Sequence, residues 1–246
     1  MRTQISALVM AAGLGLVAQQ ASAVVTFAFD DNPGPDGQFT YSAPANFGEL
    51  GLLQYDSEVP VDLSVDTTGE GGTEYDYTDA TFTFSASVGT VFDGPFPGIY
   101  LAPLIDGTMT FATSGGENLL TGTFGEGGAV GFLVIVVNTG SINVSLEVGG
   151  LNYAPSAKLL GDLSANIGVG VQSFGPPFDA VWTLSNMPVL TTVALPNPTG
   201  GPAAVYLNDF QANSSFSGTT SIVIPTPASA ALAGLGVAVM GIRRKR

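Results

Sequence analysis

The chain has 246 residues, of which 20 are acidic and six basic, with a net charge of −14, and it contains no cysteine and no histidine. Without them it has no disulfides, no thiolate nucleophile, no Ser-His-Asp triad and none of the usual zinc sites. It also lacks a Gly-x-Gly-x-x-Gly or Gly-Lys-Ser/Thr loop, so carboxylates, hydroxyls and amides are the main groups left for chemistry.

The N-terminal segment, residues 1–23, has the organisation of a secretory signal peptide. Arg2 precedes an apolar stretch at residues 5–17, and Ala21 and Ala23 form a small-x-small cleavage site. We predict recognition by the Sec export machinery and cleavage after Ala23. An N-terminal membrane anchor is the alternative, although the apolar stretch is shorter than the ~20 residues that span a bilayer.

The body of the chain, residues 24–224, is predicted to be one exported domain. Lys158 is its one basic residue against 20 carboxylates, which leaves a formal charge of −19. Such a body repels nucleic acid, and it repels acidic polysaccharide and anionic lipid unless a divalent cation bridges them. We therefore expect no nucleic-acid partner. Solubility is the simplest role of the charge.

The body is predicted to consist of β-strands. Apolar and polar residues alternate over residues 59–66, 81–88 and 141–148, and more briefly around Met109 and Phe111. This period of two places one face of each strand inward. Further strand candidates are residues 24–29, 119–124, 167–174, 180–184, 204–210 and 215–224.

Two segments depart from this pattern. Residues 129–137 are apolar on both faces, which predicts a central strand covered on both sides, and Asn138-Thr139-Gly140 predicts a hairpin into the next strand. Residues 159–167 predict one or two helical turns. Many short strands at roughly 8–12-residue spacing predict an all-β fold, a single antiparallel β-sandwich or jelly-roll-like domain.

Acidic residues provide the candidate metal sites. Asp30, Asp31 and Asp36 follow the first strand, and closely spaced carboxylates can gather oxygens around Ca²⁺. Their spacing is not that of an Asp-x-Asp-x-Asp-Gly loop, and a plain surface turn is the alternative. Residues 56–79 contain eight acidic residues and no basic one. Calcium could stabilise this segment too, and a solvated loop with charged strand faces is the alternative. We expect no cofactor besides this calcium ion.

Aromatic and acidic residues raise two further hypotheses. Tyr75 and Tyr77 lie on one face of a short extended segment and, with Trp182, could offer a sugar-stacking surface. Core packing is the alternative, and it is the expectation for Trp182. Carboxylate pairs allow a glycosidase, which needs two acids ~5–10 Å apart across a cleft. We expect Lys158 in a solvated loop rather than as a nucleophile, and we predict no catalytic residue.

The C-terminal segment, residues 225–246, has three parts. Pro225, Thr226 and Pro227 form an extended approach, because proline fixes φ and removes a backbone donor. The uncharged residues 228–242 span only ~22 Å as a helix, less than the ~30 Å hydrocarbon core. The chain then closes with four cations that remain cytoplasmic: Arg243, Arg244, Lys245 and Arg246. A permanent membrane anchor is the alternative.

This three-part tail resembles a PEP-CTERM sorting signal, with Thr226 where the usual motif has Glu. The resemblance covers residues 225–246. It implies export in a bacterium with a double membrane, usually one that makes an extracellular polysaccharide matrix. It also implies recognition by an exosortase-like membrane enzyme that cleaves near the Pro-x-Pro. It implies no catalytic residue, because the bodies of such proteins differ widely.

These observations predict a non-enzymatic exported protein of the cell surface or extracellular matrix, with a structural or adhesive role and extracellular polysaccharide as a partner. The C-terminal helix would anchor the chain transiently in the inner membrane. A calcium-dependent carbohydrate-binding module is the alternative, and a carboxylate glycosidase is the third hypothesis.

Overall fold

The computed structural model describes residues 22–30, 38–55, 58–96, 98–125, 131–136, 139–145 and 147–224. These residues form fifteen strands, one α-helix and one 3₁₀ turn. Strands β1 to β8 are Ser22–Phe29, Phe39–Ser42, Gly51–Tyr55, Pro60–Asp66, Tyr75–Val88, Phe92–Asp93, Ile99–Ala112 and Asn118–Phe124. Strands β9 to β15 are Gly131–Val136, Thr139–Ser145, Asn152–Pro155, Ser173–Ser185, Thr192–Leu195, Ala204–Leu207 and Phe210–Val223. The prediction of an all-β, antiparallel fold is confirmed.

The main sheet contains a closed circuit of hydrogen-bonded strands. β15 pairs with β12, and the pairing continues through β10, β9, β7, β5, β3 and β2 back to β15. The remaining parts of β15, β5 and β7 pair instead with β1, β4 and β8. β1 also pairs with β4, and β11 extends β8. Four strands of 13–14 residues therefore run the length of the molecule, and shorter strands share their edges.

The core is an aromatic cluster inside this circuit. Phe82 of β5 and Phe111 of β7 stack with ring centroids 4.6 Å apart. Trp182 of β12 lies 5.1 Å from Phe84 and 5.1 Å from Phe216 of β15, and it is fully buried. Each such pair contributes about 0.5–1.5 kcal/mol beyond its buried area. Core packing, expected for Trp182, is confirmed.

The two ends of the main sheet differ. β1 begins at Ser22, which lies opposite Val223 at the end of β15. We call this the tail end. The opposite end, where β12 finishes at Ser185 and β15 starts at Phe210, is the far end. β12 and β15 are antiparallel and pair along nearly their whole length, so the start of one strand lies at the same end as the finish of the other.

The helix α1, Ala157–Ile167, lies at the tail end and is longer than the predicted one or two turns. The Ser156 side chain accepts a hydrogen bond from the Leu159 N–H at 3.2 Å, which caps the first turn. Leu159 and Leu163, four residues apart, are buried on one face. Within the described residues no helix has the length and apolar character needed to cross a bilayer.

The predicted strand at residues 167–174 is wrong over residues 167–172. Ile167 ends the helix, and β12 starts only at Ser173. The Ser164 hydroxyl accepts a hydrogen bond from the Val171 N–H at 2.8 Å, which folds this segment back onto the helix. Local hydrogen bonds of this kind compete with a sheet ladder, and they leave no trace in the hydrophobic pattern.

The prediction that residues 129–137 are covered on both faces is also wrong. The described part, β9, alternates buried and half-buried residues, and Val136 is 43% exposed. β9 is central only in the sense that β10 and β7 pair with its two edges. Its outer face is covered only in part, where Phe92 packs on Phe132 at 6.4 Å.

The next strand, β10, stops at Ser145 and does not reach Val148 as predicted. The Ser145 hydroxyl accepts from the Val148 N–H at 3.0 Å, and the Ser145 N–H donates to the Val148 carbonyl at 2.6 Å. This tight turn leaves Val148 exposed, although its apolar character fits the alternating pattern.

Candidate functional site

The predicted sorting and cleavage residues lie almost entirely outside the described part of the chain. These are Ala21, Pro225, Thr226, Pro227, Arg243, Arg244, Lys245 and Arg246. Ala23 is the exception, because its backbone belongs to β1 and lies opposite Ile222 of β15. The bond between Ala23 and Val24 is therefore part of the folded sheet.

An acidic groove of about 670 Å³ lies beside β1 and β4. Its wall includes residues from β1, β4, β5 and the connection between the last two. The acidic residues among them are Asp30, Asp62, Asp66, Glu74 and Asp79. The tertiary structure therefore gathers part of the acidic segment at residues 56–79 with Asp30 of the predicted calcium turn, whereas Asp31 and Asp36 lie outside the described residues.

Two acidic side chains of this groove already accept hydrogen bonds from neighbouring groups. Asp62 accepts a hydrogen bond from the Asp79 N–H at 3.0 Å. Glu74 accepts from the Ser64 hydroxyl at 2.7 Å. In the described parts of the chain no group of three or more acidic side chains is arranged to hold a metal ion.

Asp66 caps the turn that follows β4. One carboxylate oxygen of Asp66 accepts from both the hydroxyl of Thr68 at 2.7 Å and its N–H at 2.8 Å. These two hydrogen bonds, the hydroxyl first, hold the pKa of Asp66 below its usual value. The 3₁₀ turn Thr68–Glu70 is thereby fixed at the tail end.

A second polar cluster joins the helix to β5. The Tyr77 hydroxyl donates a hydrogen bond to the Asp162 carboxylate at 2.5 Å, and the Lys158 ammonium donates to the same oxygen at 2.9 Å. The Lys158 Nζ also lies 5.7 Å from the centroid of the Tyr77 ring. We call Tyr77, Lys158 and Asp162 the helix latch.

The charge states of the helix latch follow from these contacts. Burial and the hydrogen bond to Asp162 raise the pKa of Tyr77, so its phenol is neutral. The hydrogen bond to Asp162 raises the pKa of Lys158. Desolvation would raise the pKa of Asp162, but the hydrogen bonds from Tyr77 and Lys158 and the Lys158 charge outweigh it and lower the pKa. The ion pair is therefore fully charged at neutral pH.

Trp182 cannot share a sugar-stacking surface with Tyr75 and Tyr77. Tyr75 and Tyr77 pack edge to face at 5.6 Å, and both are half-buried against the core. Trp182 is buried inside the sheet, so a surface that includes it is excluded. The loop position expected for Lys158 is also wrong, because Lys158 belongs to the first turn of the helix.

The far end presents apolar side chains to solvent, which the sequence pattern did not identify. Phe96 is 67% exposed in the loop before β7, and Val189 is 75% exposed in the loop after β12. Other exposed large apolar residues at this end are Phe47, Leu50, Leu52, Phe92, Val136 and Val205. The sequence Gly94-Pro95-Phe96 indicates the exposure of Phe96, because a phenylalanine in a Gly/Pro turn has no strand face on which to be buried.

No protein-family model, no curated protein and no solved structure matches this chain.

Proposed function

We propose that this chain is an exported protein of the cell surface or extracellular matrix, sorted by an exosortase-type enzyme, with a structural or adhesive role and no enzymatic step. In this proposal the body is a compact, sandwich-like cargo between two removable address segments. Extracellular polysaccharide is the proposed partner, and a divalent cation would bridge it where it is acidic.

The observation that best supports the proposal is the relative position of the start of β1 and the end of β15. Ser22 and Val223 are antiparallel partners, whose Cα atoms lie roughly 5 Å apart in such a ladder. An N-terminal leader attached at Ser22 and a C-terminal tail attached at Val223 would both extend from the same side of the folded body. A membrane could then hold both segments while the folded domain stands away from it.

The exposed apolar side chains of the far end support the adhesive role. These side chains lie at the far end. In a domain tethered at its tail end, the far end is the part that faces the surroundings. Phe92 and Phe96 provide aromatic faces, and aromatic faces are the surfaces on which sugar rings pack.

The test is the intact mass of the protein from its native host after separation into membrane, surface and medium fractions. We expect a chain that begins at Val24, lacks the tail beyond the Pro-x-Pro, and occurs in the surface or medium fraction. An untrimmed chain in the cytosol would contradict the proposal.

A variant of the tail tests the sorting step. Replacement of Arg243, Arg244, Lys245 and Arg246 by serine should impair retention in the membrane and processing, because these cations stop transfer across the bilayer. Normal maturation of this variant, measured by mass spectrometry, would argue against exosortase-type sorting.

The acidic groove favours a calcium-dependent carbohydrate-binding module as the second candidate. Five carboxylates without a basic neighbour in the groove wall repel one another, and Ca²⁺ would relieve this repulsion. Thermal unfolding with about millimolar Ca²⁺ should then show a higher Tm than with Mg²⁺ at the same concentration. Equal melting temperatures would exclude this candidate.

A further inference from the structure

The backbone N–H of Val24 points away from β15 and meets a carboxylate. Its nitrogen lies 3.0 Å from the Glu70 Oε1. The register of β1 with β4 explains the contact. Thr26 is paired with Asp66, the last residue of β4, so Val24 extends beyond the end of its neighbouring strand. The Glu70 side chain takes the place of the missing strand carbonyl.

The position of Glu70 is fixed by the turn that contains it. The Asp66 carboxylate holds Thr68, and the Glu70 N–H donates to the Thr67 carbonyl at 2.9 Å. Thr67 is fully buried, and its hydroxyl lies within hydrogen-bond distance of the Thr73 carbonyl at 2.9 Å and of the Asn166 side chain at 3.1 Å. The carboxylate therefore meets Val24 from a rigid support and not from a free loop.

We propose that Glu70 is the docking site of the mature N-terminus. The inference rests on the proposed function, because it requires cleavage after Ala23 by the signal peptidase of the export machinery. Water adds across the Ala23–Val24 peptide bond, which leaves a carboxylate on the released leader and an α-amine on Val24. This amine takes up a proton near neutral pH, and the hydrogen bond to Glu70 becomes an ion pair.

The surroundings favour a cation at this position. The acidic residues on the elements around it are Glu70, Asp66 and Glu74, and the neighbouring ends of β15 and β12 are uncharged. Lys158, the body's one basic residue, is paired with Asp162. In a body of such negative charge the new α-ammonium is a second cation, and it forms where a carboxylate is already in place.

The site also explains how the end of β1 can stay in the sheet after the leader is removed. After cleavage the strand begins at Val24, and the Ser22 and Ala23 backbone partners of Val223 and Ile222 are lost. Val223 and Ile222 keep Ser173 and Phe174 of β12 as partners on their other side. The ion pair with Glu70 then holds the shortened end of β1, which is 48% exposed at Val24.

The experiment uses the full chain, expressed with both end segments in an exporting bacterium, and protein recovered after processing. Its first residue is determined by N-terminal sequencing. The protein is then treated at about pH 8 with limiting amine-selective acylating reagent, and acylation of Val24 and Lys158 is measured by peptide mass spectrometry. Only the unprotonated amine reacts, so an ion pair slows the reaction.

We expect the Val24 α-amine to react about two- to fivefold more slowly in the wild type than in Glu70→Gln, the range of an exposed ion pair. Glu70→Asp keeps the charge with a shorter reach and should give an intermediate rate. Glu74→Gln removes the same charge nearby and should leave the Val24 rate close to the wild-type value. Lys158 is the internal standard in every variant.

The outcomes separate the two proposals. A first residue other than Val24 overturns both the predicted cleavage and this docking site. A chain that begins at Val24 but reacts equally in the wild type and Glu70→Gln overturns the docking site alone. An equal acceleration in Glu74→Gln also overturns it, because the effect would then come from net charge and not from the contact.

Discussion

At the residue scale, two tyrosine hydroxyls show how the same group acquires opposite roles. The Tyr77 hydroxyl donates to the Asp162 carboxylate. The Tyr41 hydroxyl is buried without a hydrogen-bond partner among the described residues, and its ring stacks on Phe210 at 5.2 Å. Burial raises the pKa of Tyr41 to about 12. A hydroxyl removed from water without a partner costs free energy, whereas a satisfied one contributes to stability.

A matched pair of variants tests this contrast. Tyr77→Phe should lower the free energy of unfolding by about 1–2 kcal/mol, because it leaves part-buried Asp162 with one donor fewer. Tyr41→Phe removes the same atom but should be neutral or stabilising by up to about 1 kcal/mol. Urea unfolding, followed by Trp182 fluorescence, measures both values. Equal losses in the two variants would contradict the assigned roles.

The helix latch also predicts a pH dependence. Because the pKa of Asp162 is lower in the folded chain, its contribution is present above its unfolded value near 3.8 and is lost as the pH falls through the folded value. Because the pKa of Lys158 is raised, its contribution is present below 10.5 and is lost as the pH rises beyond it. Thermal melts from about pH 5 down to about pH 2 should therefore show a smaller acid-induced loss in Asp162→Asn than in the wild type.

At the element scale, the helix is defined by its two ends more than by its composition. Ser156 caps the first turn, and Gly168 closes the last one with a φ of 77° and an N–H that donates to the Ser164 carbonyl at 3.0 Å. Gly161 lies in the middle of the same helix, and a Cβ there would meet no atom within 4 Å. Replacement of Gly161 by alanine is therefore expected to stabilise the helix, whereas replacement of Gly168 is expected to destabilise its end.

Gly161→Ala should stabilise the protein by about 0.5–1 kcal/mol, because alanine loses less backbone freedom in a helix. Gly168→Ala should destabilise it by about 1 kcal/mol, because an alanine is strained in the left-handed conformation. Urea unfolding of the two single variants provides the measurement. Changes of the same sign would show that the helix end is not set by Gly168.

At the scale of the whole molecule, the antiparallel pairing of β1 with β15 brings the start of β1 and the end of β15 together at the tail end, and it places the predicted cleavage bond in the sheet. Ala23 is paired with Ile222, and Val24 with Ser221. A protease needs an extended, unpaired substrate segment, so the paired state must open before this bond can be cut. Processing should therefore precede completion of the contact between β1 and β15.

This order can be measured with purified precursor. Signal peptidase should cut the unfolded precursor at Ala23 at least about tenfold faster than the refolded precursor, because cleavage of the folded chain is limited by opening of the sheet. A substitution of buried Phe27 by alanine should loosen the core around β1 and bring the two rates closer together. Equal rates for the folded and unfolded wild type would show that the bond is accessible in the fold.

The prediction of strands succeeded where one face of a strand is buried along its whole length. β4 and the second half of β5 alternate as the sequence pattern requires. The prediction missed five short strands, because two to five residues are too few for a period to appear: β2, β3, β6, β11 and β13. It also missed the first half of β7, where Pro103 interrupts the pattern.

The sequence predicts the acidic composition of the candidate site but not which residues meet there. The acidic excess of residues 56–79 is visible in the sequence, but its contact with Asp30 depends on the pairing of β1 with β4. Lys158 and Asp162 have the i, i+4 spacing of a helical ion pair. Their contact with Tyr77, 85 residues from Asp162, follows only from the packing of the helix beside β5.

The sequence by itself determined the all-β class, the absence of cysteine and histidine chemistry, and the nearly complete lack of cations between residues 24 and 224. These properties follow from the composition and from the local alternation of apolar and polar residues, so they do not depend on which strands pair. The tertiary structure alone decided which acidic residues share a groove, which tyrosine is satisfied, and that Val24 faces Glu70. Strand register decided these contacts, because a shift of one residue turns each side chain to the opposite face.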